Sequence, residues 1–361
     1  GGRAGLEAMV SALGHEAEVR SAEPGEFSRR AFENGKLDLT AAEGLADLVE
    51  AETETQLKQA LRQMDGELGR LYDGWRERLV VALAHLEARI DFPEDLPDKH
   101  NDTEIKVIIA GLQEEISQHL RDNRRGERVR DGVHVVIIGP ANVGKSSLLN
   151  SLACRDAAIV STTAGTTRDV IEVRLDLGGY AVVLTDTAGL REPGDDVERE
   201  GVSRALARAA NADLKLLVLD AAAERPPEAH ILAQMDDKSL LIINKIDLAP
   251  DGPPWAPSLA NQRPVEISVR TGSGLDGLLS LVEGFISRGT QSGGPPPLTR
   301  QRHRLALEEC VAALGRAGGA SAEELVAEDL RLGVRALGRI TGRVDVEDLL
   351  DVIFRDFCIG K

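Results

Sequence analysis

Apolar residues recur at every third or fourth position between Leu39 and about Ile90. They fall in three groups: Leu45, Leu48 and Val49; Leu57, Leu61, Leu68 and Leu71; and Leu79, Leu83 and Leu86, with charged residues between them. That period lines one side of a helix. The same spacing returns from Ile105 to Leu120, after a break from Pro93 to Asp102. Long amphipathic helices of a bundle are expected. Upstream, residues 1–39 mix short apolar stretches with the turn-forming Pro24-Gly25-Glu26-Phe27 and Asn34-Gly35-Lys36, and are expected to be loop-rich.

At Val133 the pattern changes to short runs rich in β-branched residues. They are Val133–Ile138, Ile171–Leu177, Ala181–Thr185, Leu214–Leu219, Leu240–Ile243 and Val265–Ile267, each of strand length. Helical patterns at Ser146–Leu152, Gly201–Ala210 and Leu275–Ile286 separate several of them. The alternation predicts a mainly parallel α/β sheet. The linker Gly289–Pro297 closes this region, and helical patterns resume at Arg302–Leu314, Ala322–Gly338 and Val346–Phe354. The expected organisation is therefore an α/β domain (131–289) inserted into an all-α helical domain made of residues 40–130 and 290–361, an arrangement that works when the ends of the insert lie close together.

Composition narrows the class. The chain has 361 residues, 42% hydrophobic and 29% charged, which excludes wholesale disorder. The net charge of −17 repels a phosphate backbone, so any nucleic acid is expected to be held mainly by a partner. Cys154, Cys310 and Cys358 form no CxxC pair, which fits a reducing, cytoplasmic compartment. Cys358 has apolar flanks and reads as a packed cysteine, and the seven histidines show no metal-ligand spacing. No run reaches the roughly 18 to 20 apolar residues of a membrane span. Gly1-Gly2-Arg3 has neither a signal-peptide core nor a Met, so the chain is expected to begin inside a longer protein.

The chemistry lies in the α/β region. Gly139-Pro140-Ala141-Asn142-Val143-Gly144-Lys145-Ser146 is G-x-x-x-x-G-K-S between a predicted strand and a predicted helix that continues with Ser147. Backbone N–H groups in such a loop wrap phosphates, Lys145 reaches the β- and γ-phosphates, and the Ser146 hydroxyl ligates Mg²⁺. Asp186-Thr187-Ala188-Gly189 follows the next strand pair, where Asp186 holds the metal through water and Gly189 N–H meets the γ-phosphate. Asn244-Lys245-Ile246-Asp247 matches the base-reading N-K-x-D of GTPases. A carboxylate at Asp247 accepts guanine N1–H and N2–H together, a pair that adenine lacks. Ser268-Val269-Arg270 fits the last guanine-contacting loop. Gly165-Thr166-Thr167-Arg168-Asp169 occupies the place of a first switch, with Thr166 near the nucleotide and Thr167 as a second Mg²⁺ ligand. Where Ras-like enzymes carry a water-orienting Gln, this chain has Leu190, which cannot hold water. The acids Asp195, Asp196 and Glu198 are candidates for that task, although spacing alone favours solvated charges at a helix start.

These motifs, together with Ala22-Glu23-Pro24-Gly25-Glu26-Phe27-Ser28-Arg29-Arg30-Ala31-Phe32, Asn34-Gly35-Lys36-Leu37-Asp38-Leu39, Ala42-Glu43 and the terminal Phe357-Cys358-Ile359-Gly360-Lys361, resemble the bacterial and organellar tRNA-modification GTPases of the MnmE (TrmE) family over essentially the whole chain. The resemblance implies a Ras-like P-loop GTPase domain nested in a helical domain. Residues 1–39 would then be the tail of an N-terminal α+β domain that binds a tetrahydrofolate and forms a homodimer. It further implies a heterotetramer with an FAD-containing MnmG-type partner. That complex would place an aminomethyl or carboxymethylaminomethyl group on C5 of the wobble uridine of certain tRNAs. Carried over by position, Asn142 and Thr166, with the backbone oxygens of Ser161 and Thr163, would coordinate potassium. Glu198 would position the attacking water, and Lys36 and Lys361 would touch the folate. The competing reading is a switch GTPase of ribosome assembly. It would carry an appended basic RNA-binding module, and none is visible in this acidic chain.

Overall fold

The computed structural model describes residues 2–16, 19–91, 100–155, 172–186, 212–255, 259, 262–290 and 295–344. The chain divides into two compact units. One comprises Gly1–Glu50, Ala60–Asp122 and Pro295–Lys361, and the other Ala51–Gln59 and Asn123–Gly294.

The first unit is helical. Helices α1 (Arg3–Leu13) and α2 (Glu26–Glu33) occupy much of the stretch expected to be loop-rich. Leu6, Met9, Val10 and Leu13 repeat at helical spacing, and this local signal was hidden by the surrounding Gly and Pro. The long pattern from Leu39 to Ile90 resolves into α3 (Leu39–Glu50), α4 (Glu54–Met64), whose residues through Gln59 belong to the second unit, and α5 (Glu67–Asp91). At the first break the Gln56 side-chain oxygen accepts the Glu52 and Thr53 N–H groups, an alternative to continuing the helix. At the second break the Arg70 guanidinium takes the Asp65 carbonyl. Helix α6 (His100–Leu120) and, later in the chain, α11 (Gln301–Gly319) and α12 (Glu323–Thr341) complete the unit. Its core joins Leu68, Tyr72, Trp75, Leu79 and Leu86 of α5 to Ile109, Leu112 and Ile116 of α6, Leu307 and Leu314 of α11, and Leu330, Leu337 and Ile340 of α12. Burying each such aliphatic side chain contributes about 1.5–3 kcal/mol before entropy is charged against it.

The second unit is a doubly wound α/β domain. After α7 (Arg125–Asp131) come β1 (Val133–Ile138), α8 (Lys145–Arg155), β2 (Glu172–Leu177), β3 (Tyr180–Asp186), β4 (Leu214–Asp220), α9 (Ala229–Leu232), β5 (Ser239–Asn244), β6 (Val265–Glu266) and α10 (Leu275–Thr290). The six strands lie in the order β2-β3-β1-β4-β5-β6, all parallel except β2, which pairs antiparallel with β3 at the edge. The expected mainly parallel sheet is thus present. Period-2 alternation sends Val133, Val135 and Ile137 into one core with α8 and α10, and Val136 and Ile138 into a second core on the opposite face. Because β1, β3, β4 and β5 run parallel, their carboxyl ends share one edge, where open α/β sheets bind ligands.

Candidate nucleotide-binding site

Five strand ends and the loops that follow them supply the site. The loop after β1 carries Asn142 at φ +63°, Gly139 at +143° and Gly144 at +98°, all in the left-handed half of backbone space. A Cβ on Gly139 would stand 2.2 Å from the Val218 carbonyl oxygen, and one on Gly144 2.5 Å from Asn244 Nδ2, so neither position admits a side chain. Val143 faces the opposite way and is buried in the core under the sheet, leaving only its backbone for a ligand. Helix α8 begins at Lys145, and its N-terminus adds dipole charge favourable to an anion.

Lys145 is 8% exposed, and its ammonium donates to the carbonyls of Gly139 at 2.9 Å and Pro140 at 2.7 Å. Burial lowers its pKa, while the Asp186 carboxylate opposes that shift. The Ser146 hydroxyl donates to Asp186 Oδ2 at 2.5 Å, and Asp186 Oδ1 is buried without a hydrogen-bond partner. A hydroxyl beside a carboxylate with one unsatisfied oxygen is a hard-oxygen donor set suited to Mg²⁺ and its waters.

On the other side of β1, Asn244 is 3% exposed and used within the protein. Its amide donates to the Val143 carbonyl at 2.8 Å, and its side-chain oxygen accepts the Val269 N–H at 3.1 Å. It therefore braces the phosphate loop against the Ser268-Val269-Arg270 loop. Lys245 donates to the Asn142 carbonyl at 2.8 Å and to Asp220 Oδ2 at 2.6 Å. Asp247 Oδ1 accepts the hydroxyl of the fully buried Ser268 at 2.6 Å, which fixes the carboxylate, and Arg270 lies 3.7 Å from its other oxygen. Ser146 and Ser147 are exposed at the start of α8. The structure thus brings Asn142 through Ser147, Asp186, Asn244, Lys245, Asp247 and Ser268 through Arg270 to one sheet edge. Asp220 joins them although no motif marks it. Its only signal in sequence is its place at the end of an apolar strand, the place Asp186 also takes.

A profile of the MnmE helical domain matches residues 39–358. The tRNA modification GTPase MnmE of Parvibaculum lavamentivorans is 54% identical over all of this chain and 81% of its own length. That of Rhodospirillum rubrum is 55% identical over all of this chain and 79% of its own. The chain belongs to the MnmE family of tRNA modification GTPases. Its mitochondrial relatives include the Homo sapiens 5-taurinomethyluridine-[tRNA] synthase subunit GTPB3, 48% identical over all of this chain and 76% of that one.

For this MnmE-family chain, several expected contacts lie outside the described residues: Ser161, Thr163, Thr166, Thr167, Thr187, Ala188, Gly189, Glu198 and Lys361. Of the pair expected at the folate, only Lys36 is described, and it is exposed just beyond α2.

Proposed function

We propose that this chain hydrolyses GTP to drive C5 aminomethylation or carboxymethylaminomethylation of wobble uridines in tRNA. It acts as a homodimer in a complex with an MnmG-type FAD protein that holds most of the tRNA. The observation that carries the nucleotide part of this reading is the shared edge of Lys145, Ser146, Asp186 and Asp247, which gathers a cation suited to phosphate, a hydroxyl–carboxylate pair suited to a metal and a carboxylate suited to a base. The organellar relative named for 5-taurinomethyluridine supports the chemical class of the product. We assign the activity to the cytoplasm, the reducing compartment that three cysteines without a CxxC pair fit.

In this reading Lys145 leaves the Gly139 and Pro140 carbonyls for the β- and γ-phosphate oxygens. Ser146 and Thr167, with Asp186 through water, would hold a Mg²⁺ ion, which would supply positive charge beside the phosphates when bound. Asn142 and Thr166, with the carbonyls of Ser161 and Thr163, would hold potassium, which would supply the positive charge that an arginine finger gives elsewhere. The Asp247 carboxylate, fixed by Ser268, accepts the two guanine N–H groups. Glu198 orients the water in place of the Gln that Leu190 replaces. Lys36 and Lys361 would meet a tetrahydrofolate, which would supply the one-carbon unit when bound.

The test is nucleoside mass spectrometry of tRNA from cells whose only copy carries Asp247→Asn. Loss of the modified wobble uridines, restored by the wild-type gene, is expected. Normal modification with the variant expressed at wild-type level would refute the reading.

A further inference from the structure

Asp220, the last residue of β4, lies outside every motif yet is fully engaged at the site. Its Oδ1 accepts the Ala222 N–H at 2.9 Å, which sets the carboxylate's orientation, and its Oδ2 accepts Lys245 Nζ at 2.6 Å. The same ammonium donates to the Asn142 carbonyl at 2.8 Å. One cation therefore ties the end of β4, the residue after β5 and the loop after β1.

Lys245 and the Asn142 it holds both lie in left-handed backbone. Lys245 has φ +66° and Asn142 φ +63°, and neither is glycine. Left-handed backbone costs a lysine about 1–2 kcal/mol, so at Lys245 it persists only where the surroundings over-determine it, whereas asparagine adopts it at little cost. For Lys245 the determinants are its two acceptors. The Lys245 and Asp220 side chains are 30% and 21% exposed, partly withdrawn from water, where a charge-assisted bond is stronger than at an open surface. Lys245 also stands between Asn244, which braces the phosphate loop, and Asp247, which faces the base.

We propose that Asp220 is a positioning residue for guanine-nucleotide binding: by holding the Lys245 ammonium on the Asn142 carbonyl, it locks the base-reading loop to the phosphate loop as one preorganised surface. This inference rests on reading the edge as a guanine-nucleotide site. Without the carboxylate, Lys245 loses one of its two anchors, and both loops must be ordered when ligand binds. That ordering cost falls on ground state and transition state alike. The contact also lies on the base side of the loop, away from Ser146 and Asp186, so it favours GDP and GTP equally.

The experiment measures GDP and non-hydrolysable GTP affinity by calorimetry, with steady-state hydrolysis, for the full chain and its variants. Asp220→Asn should weaken both nucleotides together by about 10- to 100-fold and raise KM equally, while kcat at saturation stays within about twofold. Asp220→Glu should recover part of the loss. In a Lys245→Met background, which keeps the apolar stem without the ammonium, Asp220→Asn should cause no further loss. A loss of the same size in that background would show that Asp220 acts through general stability, and would overturn the proposal. So would unchanged affinity in a folded Asp220→Asn protein, or a fall in kcat at constant affinity. Failure of the wild-type chain to bind GDP would overturn the guanine-nucleotide reading itself, and the inference with it.

Discussion

Glu43 on α3 and Arg302 on α11, 259 positions apart in sequence, meet in a two-pronged ion pair at 2.7 and 2.8 Å inside the helical unit. Arg302 also caps the end of α12 by donating to the Ile340 carbonyl at 3.0 Å. His303 Nε2 bonds the same Glu43 carboxylate at 2.9 Å, Arg300 bonds Asp47 at 2.6 Å, and Arg304 bonds Asp122 at 2.8 Å. Burial pushes the Glu43 pKa up, but Arg302 and His303 outweigh it and hold the carboxyl well below the usual range.

Removing one partner strands the other without water. Glu43→Ala should destabilise the helical unit by about 3–5 kcal/mol, whereas replacing Glu43 and Arg302 together by Leu and Met should cost clearly less. Urea unfolding followed by the fluorescence of Trp75 in a Trp255→Phe background reads this unit, since these are the chain's two tryptophans. Equal losses for single and double variants would contradict the pairing.

His303 is fully buried, facing Glu43, Arg300, Arg302 and the Tyr72 ring. Burial and the Arg302 charge lower its pKa to about 4, against the opposing pull of Glu43. In the unfolded chain it protonates near pH 6.5, so between about pH 6.5 and 4 the unfolded state binds more protons. Stability should therefore fall as pH drops through that window, by at most about 3 kcal/mol. His303→Gln, which retains a donor to Glu43, should flatten this slope in the same fluorescence assay at stepped pH.

Gly144 has no room for a methyl group. Gly144→Ala must displace the Asn244 amide that bonds Val143, in a backbone conformation an L-residue resists. A cost of about 1–3 kcal/mol should fall on the site, lowering GDP affinity at least tenfold while circular dichroism stays unchanged. Calorimetric titration with GDP checks it.

Glu198→Ala should separate binding from chemistry. Nucleotide affinity should stay within about twofold while kcat falls by about 10²- to 10⁴-fold, because a water-orienting group acts in the transition state. Weakened GTP binding at unchanged kcat would assign Glu198 a different task.

The phosphate loop was legible in sequence because each of its residues meets a demand few residue types satisfy: backbone without Cβ at Gly139 and Gly144, a long cation at Lys145, a short hydroxyl at Ser146. The strands were legible because both faces of a parallel sheet are covered, so their apolar runs are nearly continuous. The Glu43 cluster was not, since a buried acid and its distant arginines read individually as surface charges. Nor was the bracing role of Asn244, for its residue type fits base contact equally well. The break between α3 and α4 was hidden because the Gln56 side chain, accepting backbone N–H groups at the start of α4, marks it rather than a Gly or Pro.

The arrangement of acids and arginines in the helical unit also sets an order of assembly. Glu43, Asp47 and Asp122 are all synthesised before the nucleotide-binding unit, while Arg300, Arg302 and Arg304 come after it, 182 residues separating Asp122 from Arg304. At about 5–20 residues per second, the ribosome leaves those carboxylates without counter-charge for roughly ten to fifty seconds. Closing the helices over them in that interval would mean dehydrating unpaired anions, which opposes a premature core. The α/β unit, nearly continuous in the chain, meanwhile has all its strands available. Nascent chains should thus acquire nucleotide-binding competence first, with the helical framework sealing around its own ends last.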